Sequence, residues 1–184
     1  MKIGLIIVIA IIVLLLIVVV SKYNTLVKLR NKVKDQFSQI DVQLKKRSDL
    51  IPNLVETVKG YAKHESETLE KVMQARNNYL GASTTEDKIK ANSELNSSIG
   101  KLFAIAESYP ELKANTNFEN LQNQLSEVEE KIAYARQFYN DTVLMYNNAV
   151  QTFPNNIIAG MFGFRSESFF EANEEERQNV KVSF

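Results

Sequence analysis

The 184-residue sequence has no cysteine, one histidine, three prolines and six glycines, and its 22 basic residues are balanced by 22 acidic ones. Without a thiol there is no disulfide, no cysteine nucleophile and no cysteine-held metal, and the redox compartment is left open. His64 lacks a histidine partner for a zinc-protease helix, because Thr68 stands four residues on, and Tyr61 occupies the position where a di-iron bundle would need a glutamate. Zero net charge removes the broad field that nucleic-acid binders use. Prolines at 52, 110 and 154 alone leave long stretches free of helix breakers.

What the sequence does have begins at once. Ile3 to Val20 contains no charged or strongly polar residue. At ~1.5 Å per residue the run covers roughly 27 Å, close to the ~30 Å hydrocarbon core of a bilayer, and it lacks the polar stripe of a soluble helix. A cleaved secretory signal would be shorter and end in small residues, whereas Val18, Val19 and Val20 run straight into Ser21 and Lys22. The run reads as an uncleaved anchor. Lys22, Lys28, Arg30, Lys32 and Lys34 follow it against the single acid Asp35, while only Lys2 precedes it, which favours a cytoplasmic C-terminal domain.

Beyond the span, Leu26, Leu29, Val33, Phe37, Ile40 and Leu44 step by three and four, the pattern of a helix with one buried face. Lys45, Lys46 and Arg47 suit the negative end of its dipole, and Pro52 biases Ile51 away from helical geometry, so Ser48 to Pro52 is predicted as a turn. A kinked helix continuing to about Leu80 would find no partner of matching length. The second helix takes Leu54, Val58, Tyr61 or Ala62, Leu69, Val72, Met73 and Tyr79, ending near Gly81; the third starts at Thr84 or Thr85 and buries Ile89, Leu95, Ile99, Leu102, Phe103 and Ala106. The fourth is the strongest signal, with Phe118, Leu121, Leu125, Val128, Ile132, Ala135, Tyr139, Thr142, Tyr146, Ala149 and Phe153 in alternating steps, a Thr116-x-x-Glu119 capping box at its start and Phe153-Pro154 at its end. The expected fold is all-α: an N-terminal transmembrane helix (1–22), an up-and-down four-helix bundle of long helices (23–153) and an apolar, aromatic, then acidic tail (154–184).

Several local runs carry a family likeness. Tyr23-Asn-Thr-Leu-Val-x-Leu-Arg30, Asp41-Val-Gln-Leu-Lys-Lys-Arg47, Asp49-Leu-Ile-Pro-Asn-Leu-Val-Glu56, Val58-Lys-Gly-Tyr61, His64-Glu65, Ala75-Arg76 and Phe153-Pro-Asn-Asn-Ile-Ile-Ala-Gly-Met-Phe-Gly-Phe164 together resemble the LemA family of bacterial membrane proteins, from the anchor through Val182-Ser-Phe184. The resemblance implies one N-terminal span and a four-helix bundle in the bacterial cell membrane; it implies no reaction, and points instead to envelope maintenance or scaffolding. Some relatives resemble lipoproteins with a cysteine just before the Tyr-Asn, which would hold the domain outside the cytoplasm; here Ser21-Lys22 stands in that place.

Two groups of residues are candidate sites. Asp41, Arg47, Asp49, Asn53 and Glu56 surround the predicted first turn, where they are expected to tie helix ends together rather than orient a substrate. Arg76 and Arg136 are expected to pair with carboxylates across the bundle. Ile157, Ile158, Met161, Phe162, Phe164, Phe169 and Phe170 form an apolar segment after the bundle ends, and the parity of four alternating helices returns it to the bilayer, where it would cover the core, dock a subunit or lie in lipid. Glu171 and Glu174 to Glu176 should keep the extreme C-terminus solvated. Tyr139 and Tyr146, one heptad apart, are expected as core. The sequence thus predicts a non-enzymatic, membrane-anchored interaction or scaffold protein, the bilayer contacted through residues 3–20, with protein partners including a second copy of itself and no nucleic acid, metal or cofactor. The alternative is a regulator sensing lipid or peptide through the aromatic segment; an enzyme would need a cleft beside Asp49 to Glu56.

Overall fold

The computed structural model describes residues 2–170; the acidic stretch from Glu171 to Glu176 and the Val182-Ser-Phe184 terminus lie outside the described residues. Among the described residues six helices follow in order: α1 Lys2–Lys59, α2 Ser66–Gly81, α3 Thr85–Glu107, α4 Pro110–Lys113, α5 Thr116–Gln151 and α6 Asn155–Phe162. No strand occurs among the described residues, so the all-α expectation holds. Two compact units form, one from residues 2–38 with 137–169 and the other from 39–136 with Phe170; α1 and α5 contribute to both.

The second unit is the four-helix bundle. Its interior collects Ile40, Leu44, Ile51, Leu54 and Val58 of α1, Leu69 and Val72 of α2, Leu95, Ile99 and Leu102 of α3, and Leu121, Leu125, Val128 and Ile132 of α5, all buried. Each such side chain contributes roughly 1.5–3 kcal/mol on leaving water. Cross-helix bonds fix the directions. Asp41 meets Tyr79, and Ser48 meets Arg76, so α2 runs antiparallel to α1; Asp41 also meets Lys88, and Arg47 meets Asn92 and Asn96, so α3 runs parallel to it. Arg47 with Glu129 and Tyr61 with Asn115 set α5 antiparallel. The up-and-down order is therefore as predicted, although α2 and α3 are much shorter than α1 and α5. Thr84 caps α3 by accepting the Asp87 N–H at 3.1 Å, and Asn115, not Thr116, caps α5 by accepting the N–H groups of Asn117 and Phe118 at 2.9 and 3.1 Å.

In the first unit, Leu26 and Val33 of α1 are buried, as are Tyr139, Val143, Tyr146 and Val150 of α5 and Ile158 and Ala159 of α6. The Phe37 ring lies edge-on to Tyr139 with centroids 5.8 Å apart. Val143 and Val150 enter the core beside the expected heptad positions because a helix drifts by ~20° per heptad from a strict seven-residue repeat. Phe153, expected at the end of that seam, lies beyond α5 and is exposed.

The turn predicted at Ser48 to Pro52 does not form. α1 continues through Pro52 to Lys59, and the chain reverses at Gly60–Glu65 instead. A proline inside a helix withholds the N–H that would bond the carbonyl four residues earlier, at a cost of ~3 kcal/mol or more. Here that carbonyl is Ser48 O, and Arg76 Nε of α2 donates to it at 2.8 Å. A side chain from the neighbouring helix thus replaces the missing backbone donor. Arg76→Leu should lower unfolding free energy by about 1–3 kcal/mol. In a Pro52→Ala background, where residue 52 regains its N–H, the same substitution should cost at least about 1 kcal/mol less. Denaturation of the four variants in detergent, followed by circular dichroism, measures that coupling; equal costs in both backgrounds would refute the donor role.

Candidate functional site

The polar residues expected to crowd one turn are instead distributed along an unbroken helix. At roughly 100° per residue, Arg47 stands about 120–180° around α1 from Asp49, Asn53 and Glu56. Arg47 is accordingly buried, whereas those three are exposed. Asp49 pairs with Lys45 one turn back at 2.7 Å, in solvent, and such a pair contributes a few tenths of a kcal/mol at roughly 0.3–0.5. Asn53 and Glu56 line a shallow groove of about 490 Å³ with Thr57, Asn117, Asn120 and Gln124, in which Glu56 is the one carboxylate. An isolated carboxylate among amides has no nucleophile or second acid to work with.

Two of the five residues organise polar networks. Asp41 accepts from Tyr79 Oη at 3.0 Å and from Lys88 Nζ at 2.7 Å, tying α1 to α2 and α3. Burial pushes the Tyr79 phenol far up from its usual range, and its bond to the Asp41 carboxylate pushes the same way. Arg47, 2% exposed, donates through Nη2 to Asn92 Oδ1, through Nη1 to Asn96 Oδ1 at 3.5 Å and through Nη1 to Glu129 Oε2 at 2.5 Å, reaching α3 and α5 at once. Burial lowers the guanidinium from its ordinary value, and the charge and hydrogen bond of Glu129 oppose that. Arg47 remains a cation, as a guanidinium does at any accessible pH, and its charge is met inside the protein. Sequence reasoning named Arg47 but not its partners. The signal for Asn92 was present: it falls in the apolar phase of α3, three residues before Leu95 and seven before Ile99, where a polar residue needs an internal partner. Arg76 serves a backbone carbonyl rather than the expected carboxylate, and the Arg136 guanidinium sits over the Phe170 ring at 5.3 Å.

The apolar segment splits into two roles. Ile158, Phe164 and Phe170 are buried, so they are packing residues, whereas Ile157, Met161, Phe162 and Phe169 are exposed. In the first unit the Phe164 ring lies under Arg30, 4.9 Å from guanidinium carbon to centroid, and edge-on to Tyr23 at 5.7 Å. Gly163 makes this possible by ending α6 in the left-handed region, φ 71°, while Phe164 N–H returns to Ala159 O at 2.9 Å. The chain then runs back along α5 held by its backbone: Asn147 donates to Glu167 O at 2.9 Å and accepts Glu167 N–H at 2.8 Å, and Tyr139 Oη donates to Ser168 O at 2.9 Å. The stripe expected as plain core is also a clamp for the tail. His64 is exposed in the Gly60–Glu65 turn.

The LemA family model matches residues 36–184, which include most of the bundle and the returning aromatic tail. The chain belongs to the LemA family. It is 27% identical over 165 residues to Protein LemA of Metamycoplasma hominis, covering 89% of this chain and 75% of that protein. It is also 24% identical over 176 residues to Magnetosome protein MamQ 2 of Paramagnetospirillum magneticum, and 22% identical over 175 residues to Magnetosome protein MamQ of Magnetospirillum gryphiswaldense. Those alignments cover 82% and 81% of this chain but only 65% and 64% of the MamQ proteins, so this LemA-family chain spans just under two thirds of their length.

Arg47→Met should cost about 2–4 kcal/mol by stranding Asn92, and Arg47→Met/Asn92→Leu should regain part of the loss; denaturant unfolding in detergent checks both. A second outcome follows from the tyrosines. Tyr146 is raised, like Tyr79, by burial first and then by the Glu167 carboxylate, against the opposing Arg30 charge. In the unfolded chain both phenols ionise near ~10. Their contribution to stability is complete below that pH and is lost as pH rises toward the higher folded values, because only the unfolded state has released protons. Alkaline spectrophotometric titration should show the Tyr79 and Tyr146 phenols lagging, and Tyr79→Phe and Tyr146→Phe should each remove a lagging phenol.

Proposed function

We propose that this LemA-family protein is a membrane-tethered interaction module, with anchor 1–22, bundle 23–153 and tail 154–184, that holds partner proteins, a second copy of itself among them, at the cytoplasmic face of a bacterial cell membrane. The observation that carries this reading is α1. Its Ile3–Val20 stretch is apolar throughout and, but for half-buried Val19, exposed, and the same helix continues without a break to Lys59. An exposed apolar helix of that length is stable in lipid and not in water.

The polar groups of the bundle support binding over turnover, since Arg47 is matched by Glu129 and Asp41 by Lys88 and Tyr79. Phe138, Leu144 and Met145 of α5 supply exposed apolar surface in the first unit. The relatives named for the magnetosome carry a place in their names, not a reaction. Exposure of Ile157, Met161 and Phe162 favours a second reading, a regulator that senses lipid or peptide through this segment.

A photo-reactive residue installed at Phe138 or Met145 in intact cells should give the same discrete protein adducts from both positions, none of them from an exposed reference position at Lys101. Absence of adducts at both positions would overturn the interaction reading. Because the chain has no cysteine, an Asn123→Cys variant also reports sidedness. It should resist a membrane-impermeant maleimide in spheroplasts and react after lysis; reaction before lysis would place the bundle outside.

A further inference from the structure

The apolar surface of the first unit does not stop where the span ends. Tyr23 stands three residues beyond Val20, a rise of roughly 4.5 Å, and its ring meets Phe162 edge-on with centroids 4.9 Å apart. That contact holds α6 level with the end of the span. Ile158 and Ala159 face inward, but Ile157 and Met161, one turn apart, are 55% and 71% exposed, and Phe153 just before the helix is 79% exposed. The polar side chains of α6 are Asn155 and Asn156, both in its first turn. Past that turn its outward face has nothing to offer water.

We propose that α6 lies in the lipid interface of the membrane that α1 crosses, Phe153, Ile157 and Met161 entering the boundary between headgroups and acyl chains. Three observations select lipid as the occupant. Amphipathic helices rest with their apolar face about 5–10 Å into that boundary, a depth comparable with the Val20–Tyr23 rise, so any protein docked on this face would have to displace lipid. The face is also continuous with the exposed Val20 and Tyr23 of α1. Finally, beyond the span the first unit carries Lys22, Lys28, Arg30, Lys32, Lys34 and Arg165 against Asp35, Asp141 and Glu167, a cationic excess that suits anionic headgroups. The chain thus grips the bilayer twice, through a crossing helix and through a surface-lying one. This goes beyond tethering and rests on it only for the anchor.

The absence of tryptophan makes the test direct. Full-length chains carrying Met161→Trp, Ile11→Trp or Lys101→Trp are reconstituted in phosphatidylcholine and phosphatidylglycerol vesicles whose lipids are brominated either near the headgroup end or near the methyl end of the acyl chain. Met161→Trp should emit to the blue of Lys101→Trp and lose more intensity to the shallow bromine; Ile11→Trp should lose more to the deep one. Quenching at 11 with none at 161 overturns the α6 contact and leaves the anchor standing. No quenching at either overturns both. A blue shift at 161 that grows with protein density, without quenching, means that a second copy covers the face and likewise overturns the lipid contact.

Discussion

The bond from Arg76 to the Ser48 carbonyl decides how this chain folds back on itself. Pro52 leaves that oxygen without its backbone donor in the interior of a bundle, where an unserved carbonyl costs about 1–3 kcal/mol. Once α2 supplies the donor, α1 has no reason to stop before Gly60, where a glycine and an exposed turn give it one. The position of the reversal then fixes which residues of α2 face α1, since Arg76 must stand level with Ser48 and Tyr79 with Asp41. The turn moved by about three helical turns from its predicted place, yet helix order and parity are unaffected because the number of reversals is the same. For that reason the aromatic segment still returns to α1 just beyond its apolar stretch, as Tyr23 against Phe162 records.

Polar contacts in the second unit add identity to a core that hydrophobicity alone would leave permissive. Leucine, isoleucine and valine fill all four helices, so apolar burial would tolerate several rotations and slides. Arg47 does not tolerate them. Its fork reaches Asn92 on one helix and Glu129 on another, and a slip of one turn would leave the buried Asn92 amide unpaired if α3 moved and the buried guanidinium without its counter-charge if α5 did. The arrangement contributes little net energy relative to a well-packed apolar substitute, but it penalises the alternatives, the use to which single buried polar residues are put in helical assemblies.

How much of this was legible depends on whether the cause was local. The unbroken apolar helix at the N-terminus, the seam of α5 and the cap at Thr84 were readable because each is set by residues within a few turns of one another. Pro52 misled because its local bias against helix is real and is overridden by Arg76, a residue 24 positions later whose role appears only once α2 is placed. The polar cluster misled for the same reason: Asp41, Arg47, Asp49, Asn53 and Glu56 look gathered if the chain turns among them, and fan out if it does not. Phe153 kept the α5 spacing yet fell outside the helix, since a periodic pattern shows which residues would share a face but not where the helix ends.

The aromatic segment shows why burial has to be read atom by atom before function is assigned. Seven apolar residues in a short run suggested one sticky surface. The fold instead uses Ile158, Phe164 and Phe170 as filling, and secures the chain between them through backbone groups held by Asn147 and Tyr139. Holding the tail by its main chain places no demand on the side chains at 166–168, so it is compatible with Ser166, Glu167 and Ser168 remaining polar. It also fixes α6 from its far side, with Gly163 as the pivot and Tyr23 as the stop. A short helix that is mostly apolar would otherwise be free to roll its exposed face inward; held at its C-terminal end through Phe162 and Gly163, it leaves Ile157 and Met161 outside, close to the end of the apolar run where Tyr23 stands.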